Sequence, residues 1–410
     1  MRSYRDFADA VAAHAVVRRR QRLQPAFGPG DKIFPPTYSR KDADSPPRHC
    51  YERRLVEDRG ELICCLLDSA PSQANRFEDS LLAAVRAGIV ELPYVDVDFS
   101  GTGLEPTSIT SLEAPHRIYD ALLRDSALDG IPFLESPVGK RVCDAKAANA
   151  TALLEMAPTT LIFGGWHSQG PTGGTGTKFQ RCIVSEIIGV NVPVDVIEDS
   201  RPGATPELQT AARRTSSRRD PAGIAKKAQI WKSATGWETT QAEAGPGAKQ
   251  VKPSEIIHGS ITPDIEPLGI TMEYGEQTLG ISLSAIRRLQ FGSESKNLAA
   301  RTYLASLSLL TALEQDAQGY SLRSRCDLIP DGVAPWELIH SDGTVHKFEI
   351  NRDVARSLYS NALRAVADAG FEMHLSPIRL TPQPKLVTII QQSRDRGFME
   401  DNNSESDGGE

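Results

Sequence analysis

The chain has 410 residues, 40% of them hydrophobic, which is enough for a real core in one large domain or two ordinary ones. Its formal charge of −7, from 46 basic and 53 acidic residues, argues against a general nucleic-acid binder. Five of those acids sit in the final "EDNNSESDGGE", so the rest of the chain is nearly balanced at 46 against 48 and any basic site must be local.

The chain opens on a short amphipathic helix, with Phe7, Ala10, Val11 and His14 at helical spacing. The arginines of "MRSYRDFADAVAAHAVVRRR" follow the apolar stretch, the reverse of a secretory signal. The basic run "VRRRQR" (17–22) is read in this helical context as a solvated face. Strand "ELICCLLDS" (61–69) leads into a helix over 72–87, then strand "VELPYVDVDF" (90–99) with alternating Val95, Val97 and Phe99. Helices are expected at 112–125 and 145–155, and strands at "TTLIFGG" (159–165) and "RCIVSEIIGVNVPV" (181–194). Residues 201–252 hold ten Lys or Arg against four acids and few aliphatics, the composition of a loop-rich excursion. Further on come strands in "LGITMEYG" and "LGISLSAIRRLQF", a long helix at 296–317, and a strand in "GYSLRSRCDLI". A hairpin turning on Asp342–Gly343 and a helix at 352–369 close the ordered part. Strand–helix–strand units at both ends suggest an α+β sandwich with helices on one sheet face.

No stretch of eighteen apolar residues is present, so no membrane span is expected. Six cysteines (50, 64, 65, 143, 182, 326) form no CxxC pair and no metal-ligand spacing, as expected of free thiols in a reducing cytoplasm. There is no H-E-x-x-H, no G-x-S-x-G and no Cys–His signature, so catalysis finds little support and no cofactor or metal is expected.

The stretch "GGWHSQGPTGGTGTKFQR" (164–181) resembles a phosphate loop but fails as a Walker motif. Gly170 and Gly176 enclose five residues, Thr177 intervenes before Lys178, and Phe179 stands where a metal-binding hydroxyl is needed. Backbone amides at Gly173, Gly174 and Gly176, with Lys178 and Arg181, could still cradle a phosphate of any origin. The alternative is a plain connector between strands. In "ARRTSSRRDP", Arg213, Arg214, Arg218 and Arg219 crowd together with hydroxyls between them, a pattern that anions relieve. Gln73, Asn75 and Arg76 stand at the start of a helix, and His116 and Arg117 follow a proline; both sets could face a ligand. Asp31 and Lys32 occupy a Gly/Pro turn in "GPGDKIFPPTY", where Asp31 could bind a divalent ion.

The blocks "GDKIFPPTY", "LLDSAPSQANRFEDSLL", "SLEAPHRIYDALLRDS", "NATALLEMAPTTLIFGGWHSQGP", "GTGTKFQRCIVSEIIGV" and "RRTSSRRDPAGI" resemble, in order, those of a CRISPR-associated RAMP protein. The family is the Cas-seven-type backbone subunit of the type I-G (formerly I-U) Cascade effector. The similarity is dense over residues 25–230 and diffuse beyond. It implies an RRM-like (ferredoxin-like) palm with large loop insertions, split between 1–200 and 261–398. The stretch 201–260 would form a thumb-like excursion and 399–410 an acidic tail. It also implies a cytoplasmic, non-enzymatic subunit that polymerises with copies of itself along one CRISPR RNA. Partners would be target DNA read through the guide, a Cas-five/Cas-six-type fusion and a large subunit. RNA held by its backbone leaves guide bases free to pair, and sequence-blind phosphate contact suits a subunit that must accept every spacer. Two alternatives come from other classes: a metal-dependent ribonuclease using Asp31, and a free-standing nucleotide-binding regulator, which the broken phosphate loop disfavours.

Overall fold

Burial alternates along the strand Val16–Pro25: Val17, Arg19, Gln21, Leu23 and Pro25 point inward, while Arg18, Arg20 and Arg22 point out. This corrects the helical reading of residues 17–22. Two polar residues in the inward set, Arg19 and Gln21, disguise a period of two. The computed structural model describes residues 3–38, 49–167, 178–197, 207–209, 222–224, 228–233, 236–256, 258 and 268–400. It falls into two units, Met1–Leu208 with Ile270–Gln383, and Gln209–Gly269 with Pro384–Glu410.

In the first unit, Val16–Pro25 lies inside an antiparallel sheet of nine strands among the described residues. Its path runs Tyr320–Arg323, Cys326–Pro330, Val16–Pro25, Tyr274–Ser282, Ile183–Val190, Gly60–Asp68, Tyr51–Val56. The other half of the Val16–Pro25 edge pairs with Trp336–Ile339, which pairs with Val345–Phe348. Helices Ala70–Arg86 and Glu294–Gln318 pack against each other and against Ile183–Val190 and Tyr274–Ser282, respectively. The long helix is buried almost all round because the helices Tyr4–Ala13 and Arg352–Asp368 also lie on it. Several of its buried hydroxyls are satisfied locally: Thr302 donates to the Leu298 carbonyl and Ser308 to that of Leu304.

A buried polar network stitches sheet to helices. Arg19 donates to both Asp316 carboxylate oxygens and to Gln277, and Tyr320 donates to the same two side chains. Gln277 in turn donates to Gln73 Oε1 at 3.0 Å, which also accepts from Ser185. Removing one partner of such a buried pair costs about 3–5 kcal/mol, because the other charge is left uncompensated.

The helices over 72–87, 296–317 and 352–369 and the Asp342–Gly343 hairpin form as expected, at Ala70–Arg86, Glu294–Gln318, Arg352–Asp368, and Trp336–Ile339 with Val345–Phe348. Elsewhere the structure departs from the sequence reading. Residues 159–165 form not a strand but mainly the helix Pro158–Phe163. Pro158 presets its first turn, and an apolar run this short has no period to reveal its type once buried on every side. The two strands expected in 268–275 and 279–291 are one strand across the join, Tyr274–Ser282, followed by the helix Leu283–Arg287. The strand expected at 319–329 is a hairpin whose turn holds Arg325 at φ 59. The helix expected at 145–155 is instead Pro137–Cys143 and Thr151–Met156, and that at 112–125 shrinks to Ala121–Arg124 after a 3-10 turn.

In the second unit, Gly236–Glu238, Ile230–Ser233 and Lys249–Val251 form a small antiparallel sheet in that order, with the helix Gln241–Ala244 between its strands in sequence. Among the described residues no helix is long and apolar enough to cross a membrane.

Candidate nucleic-acid interface

The described ends of the glycine-rich stretch form a two-residue ladder, Gly165–Trp166 against Lys178–Phe179. Gly164 ends the preceding helix at φ 87, and a Cβ there would lie 3.0 Å from the Phe179 carbonyl and 3.2 Å from Arg181 Cγ. A Cβ on Gly165 would lie 2.5 Å from Thr160 Cγ2 and 3.2 Å from the Tyr119 ring. Glycine is thus required for the strand to press onto the layer beneath. Alternation then buries Phe179 and turns the cross-strand pair Trp166 and Lys178 outward, with Trp166 62% exposed. Arg181 is exposed two residues after the ladder.

The floor under this pair is aromatic and uncharged. His167 is buried and stacks on Tyr119 with ring centroids 5.1 Å apart and planes 3° from parallel. Burial lowers the His167 pKa and raises that of Tyr119, so both stay neutral near pH 7. An exposed indole beside a lysine, on a neutral base at the mouth of a glycine-rich segment, can stack a base and hold a phosphate.

The remaining expected site residues divide sharply. Gln73 does not project toward a ligand: it is fully buried, donating to Asp68 Oδ2 at 2.6 Å and accepting from Ser185 and Gln277. Arg76 donates from Nε to the same Asp68 oxygen at 2.8 Å and from its other nitrogens to the Ser321 and Leu322 carbonyls. It ties a helix to a hairpin. Arg117 is 8% exposed and grips Glu78 through two bonds of 2.7 Å, with a third to the Gly164 carbonyl. Burial pushes the Glu78 carboxyl up to about 7 against the pull of that guanidinium. So Gln73, Arg76 and Arg117 are taken up in the internal polar framework, whereas Asn75 and His116, beside Arg76 and Arg117 in sequence, are exposed. Gly173, Gly174, Gly176, Arg213, Arg214, Arg218 and Arg219 lie outside the described residues.

Lys32 belongs to a second feature. A cavity of about 250 Å³ is lined by Phe27, Asp31, Lys32, Ile33, Arg325 and Asp327. The Arg325 guanidinium sits 4.8 Å and the Lys32 ammonium 5.4 Å from the centroid of the Phe34 ring. Burial, with the nearby Arg325 charge adding to it, lowers the Lys32 pKa. Phe27 is 81% exposed at the rim. Cations, an exposed aromatic and two carboxylates meet here, a mixture suited to a nucleotide or to a phosphate with a cation. Among the described residues no three His, Cys, Asp or Glu converge as metal ligands.

The outward arginines of the first strand make no such surface. Arg18 pairs with Glu337 at 2.7 Å, Arg20 with Glu276 at 2.9 Å and Arg22 with Asp331 at 3.8 Å, which neutralises the exposed sheet face. Trp166, Phe27 and Arg325, which the geometry adds as candidates, are not among the site residues expected from the sequence. For Trp166 the signal was available: a lone tryptophan in a glycine-rich stretch, two residues into which nothing apolar follows to bury it. For Arg325 there was none, since its approach to Phe34 depends on a long-range fold.

Residues 17–194, a little under half the chain, match the model of a family described as CRISPR-associated protein GSU0053. The match supports a CRISPR-associated protein and, with it, a role in CRISPR–Cas defence. The matched stretch carries the first strand, the Ala70–Arg86 helix and both sides of the Trp166–Lys178 ladder. No curated protein matches the chain.

Proposed function

We propose that this chain is a guide-RNA-binding backbone subunit of a type I-G (formerly I-U) Cascade-like effector. Several copies lie along one CRISPR RNA in the cytoplasm, and target DNA is read by the guide. The observation that carries the reading is the outward pair Trp166 and Lys178 on its neutral His167–Tyr119 floor. Such a platform binds a strand through stacking and phosphate contact and imposes no base identity. The strand order supports an RRM-like palm. Cys326–Pro330, Val16–Pro25, Tyr274–Ser282 and Ile183–Val190 lie side by side in the order fourth, first, third, second. Ala70–Arg86 falls between the first and second of these strands in sequence and Glu294–Gln318 between the third and fourth, as in a ferredoxin-like fold.

The test is purification of the full chain with and without a guide transcript. A backbone subunit carries RNA, shown by its absorbance ratio, and migrates as a polydisperse multimer whose size follows guide length. A discrete, RNA-free oligomer with no affinity for single-stranded RNA would refute the reading. One observation favours a second reading: Asp31 and Asp327 line the same cavity, as a metal-dependent ribonuclease would require.

A further inference from the structure

The small sheet of the second unit carries a row of side chains that neither the first unit nor the family match accounts for. In its register, Lys232 of the central strand stands opposite Trp237 on one side and Lys249 on the other. Directly opposed residues in an antiparallel sheet share a face, so Trp237, Lys232 and Lys249 form one lateral row, about 10 Å across at ordinary strand spacing. Trp237 is 45% exposed, and the His258 ring meets it edge-on with centroids 5.7 Å apart. The indole is therefore held from one side and open on another.

Two lysines directly opposite each other repel, and a sheet normally answers this with a cross-strand acid. Here neither lysine is ion-paired among the described residues. The nearest acid in register, Glu238, pairs across to Trp231 and so lies on the opposite face. Two cations with no acid partner among the described residues, beside an exposed indole, are a poor arrangement for the small sheet alone. They suit a polyanion that also presents a flat apolar surface.

We propose that the Trp237–Lys232–Lys249 row is a second binding site for single-stranded nucleic acid, one base stacking on Trp237 and the adjoining phosphates lying on the two lysines. Phosphate contact and stacking accept any base, so the site is indifferent to sequence. The inference rests on the proposed role as an RNA-binding subunit and adds to it a contact surface on the second unit.

The experiment uses the full chain freed of bound RNA and follows fluorescence anisotropy of labelled oligouridine, oligoadenosine and oligothymidine across a salt series. Trp237→Ala is expected to weaken binding about tenfold, and Trp237→Phe much less, because an aromatic face is retained. Lys232→Gln with Lys249→Gln should flatten the log–log salt slope by roughly 1.4, two phosphates at about 0.7 each. Losses should match between oligouridine and oligoadenosine. Equal losses on RNA and DNA support a site for any single strand; losses confined to RNA support one that also uses the ribose hydroxyl. Unchanged affinity and slope in these variants, while Trp166→Ala still weakens binding, would overturn this site and leave the subunit role standing. No binding of any oligonucleotide by the wild-type chain would overturn both. Melting curves of each variant, with Trp237→Phe as the conservative substitution, separate lost contact from lost fold.

Discussion

The Nε2 atoms of His14 and His340 lie 2.9 Å apart, so one imidazole must donate a proton and the other accept it. His14 ends the first helix and His340 follows the Trp336–Ile339 strand, so this bond joins two segments more than three hundred residues apart. His346 packs edge-on against His340 at 4.7 Å, and Arg287 donates to the His14 carbonyl. Near this cluster, the Thr344 backbone N–H donates to Asp342 and holds that carboxyl below its usual range, with His340 adding a smaller pull.

This contact makes stability depend on pH. Burial lowers the His14 pKa below 6.5, and the neighbouring His340 charge lowers it further; burial does the same to His49 and His167. As pH falls through 6.5 the unfolded rings take up protons that the folded rings resist. The unfolded state then binds more protons, and stability falls with pH. Thermal midpoints should drop between pH 7 and pH 5, and His14→Gln should reduce that drop by on the order of 2 °C. An identical pH profile in the variant would show that the pair does not titrate.

Arg117→Met should destabilise the fold by about 3–5 kcal/mol, since it leaves the Glu78 carboxylate buried without its cation. With the Glu78 pKa already raised to about 7, the folded state binds the proton more tightly than the unfolded. The stability it contributes is present at low pH and lost as pH rises through the folded pKa. Denaturant titrations should therefore find the variant weaker at pH 8 than at pH 6. A pH-independent loss would assign the cost to packing instead.

Trp166→Ala should weaken single-stranded RNA binding about tenfold, with Trp166→Phe retaining most of it. Lys178→Gln should flatten the salt slope by roughly 0.7. Filter binding with two unrelated guide sequences checks both values. A loss that depends on sequence would mean that the pair reads bases.

Gly165→Ala drives a methyl group to 2.5 Å from Thr160 Cγ2 and onto the Tyr119 ring. Overpacking of this kind costs about 1–3 kcal/mol. Chemical denaturation should register the loss, and a weaker RNA affinity in the still-folded variant would show that the platform has shifted with its floor. Full stability would mean that the strand can lift without penalty.

The two carboxylates of the Phe27–Arg325 cavity give the ribonuclease reading its test. Guide-loaded protein given complementary RNA in Mg²⁺ or Mn²⁺ is expected to leave it intact. Cutting at fixed positions that disappears in Asp31→Asn or Asp327→Asn would replace the structural role with a catalytic one.

Much of the frame is legible along the chain itself. Helix period and the Asp342–Gly343 turn locate Ala70–Arg86, Glu294–Gln318, Arg352–Asp368 and the late hairpin, because these signals are local and recur within a few residues. Where burial is complete, as at Pro158–Phe163, periodicity vanishes and local signals cannot tell helix from strand. For the site, residue type shows what a side chain can bond but not what it has already bonded. Arg76 and Gln73 look available in sequence and are consumed by Asp68; Arg117 is consumed by Glu78, 39 residues away, and Arg18 by Glu337, 319 residues away. Trp166 is the converse, an apolar side chain that the fold leaves outside because Gly165 and Phe179 take the inward places on their short ladder. The sequence by itself determined the three long helices, the Asp342–Gly343 turn and the stock of charges. Only the tertiary structure decided which charges and aromatics remain open to a ligand, because satisfaction of a polar group is a property of neighbours brought together by folding.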